Sequence, residues 1–145
     1  LNGAIFKVKD LNNGQITYLA SGQLLIKGNG INEEYEISKD ENFENIVKVA
    51  KTDNFKEIIL DIDDGVYYSR KINDDKVTKH IIKDGKAILP DAIYGHSYEF
   101  NEIKAPTSYH KADKSMAYTV IANKDTDTVI FKFENKRIEL PNTGV

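Results

Sequence analysis

The sequence predicts an all-β chain folded as a β-sandwich, with one helix-containing insertion. Three observations carry this. Apolar and polar residues alternate with a period of two in several short segments, which places one face of each strand inward. Turn signals such as Asn13-Gly14 and Asp63-Asp64-Gly65 separate these segments at short intervals. Only one stretch, in the middle of the chain, departs from that period. At 145 residues the chain fits one domain, or one domain carrying an insertion.

The opening "LNGAIFKVKD" sets Ala4, Phe6 and Val8 on one face, with Lys7 and Lys9 on the other. "LNNGQ" is a tight turn and "ITYLA" the returning strand. From Ile31 to Gly85 the texture changes. Ser38 stands three residues before Glu41, as in a capping box, and Phe43, Ile46, Val47 and Ala50 follow at helical spacing. A short helix is predicted over 39–52. "KEIILDI" and "VYYSRKI" flank "DDG" as a hairpin, and "VTKHIIKDG" adds a strand and turn. "KAILPDAIYGHSYEFNEIKAP" returns to strands, with Gly95 at a bend. "MAYTVIAN" and "TVIFKFENKRIEL" read as a closing hairpin around "KDTDT".

Composition excludes several function classes. The net charge of −3 and the interspersed signs leave no stripe of Lys and Arg among aromatics, so no nucleic-acid partner is expected. No apolar run is long enough to span a membrane, and no signal peptide is read. With no cysteine, there are no disulfides, thiolate metal sites or Cys nucleophiles.

Two strands end their inward stripe in a polar residue. Tyr98 and Phe100 lead to Glu102, while Val129, Phe131 and Phe133 lead to Asn135. From the pattern alone, both side chains either reach water at strand ends or meet in the interior. A buried carboxylate needs a partner or must lose its charge.

"YEFNEIKAPTSY" resembles the YxLxExxAPxGY box of the Cna B-type domains of Gram-positive surface proteins and pilins. Tyr98, Phe100, Glu102, Ala105, Pro106 and Tyr109 match it, and Ser108 stands where Gly is usual. "LNGAIFKV" resembles that family's LxGAxFxL strand, and "FENKRIELPNTG" its last strand. The likeness covers both ends of the chain and not Ile31 to Gly85. It implies an Ig-like sandwich over 1–139 and a spontaneous isopeptide bond between a lysine amine and an asparagine side chain. Glu102 would be the catalytic acid and Asn135 the acceptor. Apolar burial would favour a neutral, nucleophilic amine. The acid would polarise the carboxamide and pass protons as ammonia leaves. The donor is unassigned: in the family it precedes LxGAxF, a place upstream of Leu1, and Lys7 and Lys9 face outward.

"LPNTG", comprising Leu140, Pro141, Asn142, Thr143 and Gly144, is similar to the sortase motif LPxTG, in a tail over 140–145. A sortase joins the Thr carbonyl to an amine of the cell wall or of a pilin. Pro141 blocks further ladder pairing, and Gly144 admits an enzyme close to the backbone. The resemblance therefore implies sortase as a partner and peptidoglycan or a pilin subunit as covalent acceptor. The protein would be secreted and attached to the cell wall or pilus.

Weaker signals have plainer readings. Asp61, Asp63 and Asp64 lack ordered EF-hand spacing and suit a turn tip. His80, His96 and His110 share no ligand spacing. Tyr67 and Tyr68 beside Arg70 suit packing. No triad, metal motif or nucleotide loop points to an enzyme, and neither metal nor cofactor is expected. The expected function is a structural stalk or basal domain of a sortase-anchored surface protein or accessory pilin. The alternative is an adhesin binding a host ligand through 31–85.

Overall fold

The computed structural model describes residues 1–28, 30–52, 56–121 and 133–138. Over these residues the protein is all-β, with ten strands in three antiparallel sheets. Strands β1 (Ile5–Asp10) and β2 (Ile16–Ala20) form the expected hairpin. Asp10 Oδ1 accepts the Asn12 and Asn13 amides at 2.8 and 3.3 Å, and Gly14 takes φ 78° to close the turn. The far side of β1 pairs with β9 (Ser97–Lys104), and β10 (Met116–Thr119) completes a sheet of order β10-β9-β1-β2. Ala4, Phe6, Val8 and Tyr98 are its buried face, with Leu89, Phe100 and Phe133 packed against them. His96 Nδ1 lies 2.7 Å from the second oxygen of buried Asp10, pinning the loop before β9 to β1. Burial alone would raise the Asp10 pKa, but the His96 hydrogen bond and the two amides outweigh it and hold the carboxyl below its ordinary value.

The middle of the chain builds the other two sheets. Strands β3 (Leu24–Lys27) and β6 (Glu57–Leu60) make a two-stranded ribbon. Strands β4 (Glu34–Ser38), β5 (Ile46–Lys51), β7 (Gly65–Lys71) and β8 (Thr78–Ile82) form a sheet of order β5-β4-β7-β8. Leu24 and Ile26 from β3, Ile58 from β6, Ile37, Tyr67 and Ile82 from the larger sheet share one core. Two antiparallel layers across one apolar interior are compatible with a β-sandwich. Ile5, on the reverse face of β1, packs with Ala20 and Leu25 and so joins the first sheet to the ribbon.

The helix predicted over 39–52 is absent; no helix occurs among the described residues. Asp40 explains why. Its carboxylate accepts the amides of Asn42, Glu44 and Asn45 and the Ser38 hydroxyl, making a closed turn rather than a helical cap. Phe43 sits in that turn at φ 55°, a left-handed conformation no helix contains. β-Branched Ile46, Val47 and Val49 then run as β5 beside β4. The hairpin predicted around Asp63-Asp64-Gly65 is also replaced. β6 pairs with β3, whereas β7 pairs with β4 and β8, so the chain crosses between sheets at this turn. Of the predicted closing hairpin, β10 is present, and Val129 and Phe131 lie outside the described residues.

Candidate functional site

β9 keeps the alternation read from its sequence. Tyr98 and Glu102 are buried, Phe100 is partly buried, and Glu102 lies opposite Phe6 of β1. Only 4% of Glu102 is exposed, less than its neighbour Tyr98 at 7%. Phe133 stacks its ring 4.9 Å from that of Phe6, inclined by 56°, which aims Asn135, two residues on, at the same interior. Asn135 Nδ2 donates to Glu102 Oε1 at 2.5 Å and to the His110 carbonyl at 2.8 Å. The Ala112 amide donates to the same Oε1 at 2.7 Å. Glu102 Oε2 is buried and meets no hydrogen-bond partner among the described residues.

The site is thus asymmetric. One carboxyl oxygen is occupied by two N–H donors; the other meets no donor among the described residues, and a buried oxygen left so costs on the order of 1–3 kcal/mol. The Asn135 carboxamide is held by its NH₂ group between two acceptors, which fixes the direction of its carbonyl carbon. A buried carboxyl hydrogen-bonded to an oriented carboxamide is suited to moving protons during acyl transfer at that carbon.

Sequence reasoning singled out Glu102 and Asn135 and missed the segment that clamps them. Residues 108–112 run beside the last described segment: His110 N donates to Lys136 O, Ile138 N to Ser108 O, and Tyr109 bridges Arg137. Only Ser108 and Tyr109 of this segment fall within the box that contains Glu102; His110 and Ala112, which make the contacts, lie beyond it and act through backbone groups that no residue type signals. Ser108 adopts φ 71°, a left-handed conformation that glycine takes without strain. Ser108→Gly is therefore expected to stabilise the protein by about 0.5–1 kcal/mol; urea unfolding measures it.

Lys7 and Lys9 pair opposite Asn101 and Glu99, on the face of the sheet turned away from Glu102. Among the described residues no lysine forms an ion pair with Glu102. Leu140, Pro141, Asn142, Thr143 and Gly144 lie outside the described residues.

The other flagged residues have local duties. Asp61 accepts from Gln23, and Asp64 accepts the Asp84 amide. No group of three or more His, Asp or Glu is placed to hold a metal among the described residues. Tyr67 is buried with its hydroxyl on the Asp63 carbonyl. Arg70 lies 4.0 Å over the Phe43 ring and pairs with Glu36, so it braces the β4–β5 turn. His80 accepts or donates to Ser69 Oγ at 2.7 Å across β7 and β8.

No family model matches the chain, and neither the curated proteins nor the solved structures contain a match.

Proposed function

We propose that the chain is a Cna B-type, Ig-like structural domain, a stalk or basal module of a sortase-anchored surface protein or accessory pilin. An autocatalytic lysine–asparagine isopeptide bond would brace it. The observation that carries this reading is the pairing of buried Glu102 with Asn135 at 2.5 Å. A lysine amine placed beside the two side chains would attack Asn135 Cγ. The new C–N bond forms as the carboxamide nitrogen leaves as ammonia, and Glu102 carries the proton from the amine to the leaving nitrogen. The bond would stand in for disulfides in a chain with no cysteine. Thr143 would be the acyl donor to a wall or pilin amine through sortase. The protein would act as an anchored scaffold rather than as an enzyme on external substrates.

Intact mass spectrometry of the full-length protein is the test. A mass one ammonia below that of the sequence is expected, restored to the full value in Glu102→Ala and in Asn135→Ala. An unreduced mass in the unsubstituted protein removes the bond from the proposal. Incubation with a sortase and an amine acceptor tests the anchor, and no transfer counts against it.

A second reading, an adhesin using 31–85, draws support from one observation. That region supplies a whole four-stranded sheet, β5-β4-β7-β8, more than a plain spacer needs. A host ligand would then be its partner.

A further inference from the structure

Among the described residues β5 lies at the outer edge of the sheet β5-β4-β7-β8, paired only with β4. Every residue of the strand except Ala50 is exposed, including Ile46 at 44%, Val47 at 40% and Val49 at 55%. An apolar edge strand offering its backbone to solvent is a template for another strand.

We propose that β5 is a pairing edge for a second copy of this chain, added antiparallel about a two-fold axis at Val49. This is independent of the isopeptide reading. Three features select that occupant and register. First, the Thr52 amide donates to the Glu33 carbonyl at 2.8 Å, which marks residues 33 and 52 as a hydrogen-bonded pair. Antiparallel alternation then turns Ala50 and Lys48 toward β4 and leaves the N–H and C=O of Val49 and Lys51 facing outward. Two copies meeting at Val49 exchange both backbone bonds there.

Second, the charges along the edge are polarised. Glu41 and Glu44 are exposed at the turn that precedes β5, while Lys48 lies mid-strand and Lys51 at its far end. None of the four makes an ion pair among the described residues. An antiparallel copy brings the lysine end of each β5 toward the acidic turn of the other. Third, the neighbouring registers are worse. Centring on Lys48 sets two lysines directly opposite, and centring on Val47 falls on the irregularity opposite Ile37 and Ser38. The Val49 register places Lys51 opposite Val47 and Lys48 opposite Ala50.

Two six-residue strands bury less than a standard interface of about 1,600 Å², so the dimer is weak. Sedimentation equilibrium up to about 1 mM protein is expected to show a monomer–dimer equilibrium. Val49→Lys, which puts two lysines on the axis, is expected to weaken it at least about tenfold. Glu44→Lys should weaken it in a salt-dependent way, and adding Lys51→Glu should restore it. Val49→Cys introduces the chain's sole thiol and should oxidise to a linked dimer. Near-UV circular dichroism establishes that each variant is folded. A monomer throughout the concentration range overturns the proposal, whether or not a different protein binds the edge. A dimer that Val49→Lys leaves unchanged overturns it as well.

Discussion

Leu24→Ala is expected to lower the unfolding free energy by about 3–4 kcal/mol. Leu24 has no exposed surface and belongs to β3, yet its core partners come from both layers: Ile26 and Ile58 in the ribbon, Ile37, Tyr67 and Ile82 in the larger sheet. Truncation therefore removes contacts on both sides of one interior, and neither layer alone can close the space. Urea unfolding followed by tyrosine fluorescence measures the effect, since the chain has eight tyrosines and no tryptophan. A loss below about 1 kcal/mol would mean that the ribbon and the sheet do not share a tightly packed core. Ile37→Ala, at an equally buried position facing Leu24's cluster, should cost a similar amount.

Acid should destabilise the protein through His80 above the window in which Asp10 and Asp40 titrate. Burial disfavours its charged form and pushes its pKa from 6.5 down to about 4. Above pH 6.5 the imidazole is neutral in both the folded and unfolded chain and contributes no slope. Between about pH 6.5 and about 4 the unfolded chain takes up a proton that the folded chain refuses. Stability then falls by up to about 1.4 kcal/mol per pH unit, to a total of about 3 kcal/mol. Asp10 and Asp40 both titrate below the ordinary aspartate value of 3.8, so their contributions are lost in a lower window. Comparing the pH dependence of stability in the parent and in His80→Gln isolates the term. An identical slope between pH 6.5 and 4.5 in both proteins would show that His80 is not its source. The Ser69 hydroxyl, 2.7 Å from the ring, should find an alternative partner in the glutamine amide.

Much of the first sheet was legible because period two is strict where strands are regular. Phe6 and Val8 on β1, and Tyr98 and Glu102 on β9, all fall on the predicted face. The same phase, carried along the last segment, turned Phe133 and Asn135 to the interior. The predicted helix failed for a physical reason that the spacing concealed. Phe43 belongs to a left-handed turn, and Ile46 and Val47 straddle a register shift in β5. A turn followed by an extra strand residue imitates offsets of three and four without any helix. The strand exchange at Asp63-Asp64-Gly65 was not legible either. Turn chemistry announces that the chain reverses, and it is silent on whether the next strand joins the old sheet or a new one. Cross-strand partners such as Asp10 with His96, or Ser69 with His80, depend on pairings that no local window contains.

The position of β1 has a consequence for how the molecule assembles. β1 is completed on one side by β2, a few residues downstream, and on the other by β9, where Phe6 meets Glu102. Asn2 likewise grips the turn at Asp84 and Gly85. Between those encounters the chain lays down β4, β5, β7 and β8, two of whose three pairings, β4 with β5 and β7 with β8, join near neighbours in sequence. Loop-closure entropy favours the intervening sheet forming early, with the first strand held waiting for its distant mate. Phe6 of β1 comes to lie opposite Glu102 only in that late step, so any covalent tie at Glu102 and Asn135 that needs this buried setting would seal a finished molecule rather than guide its making.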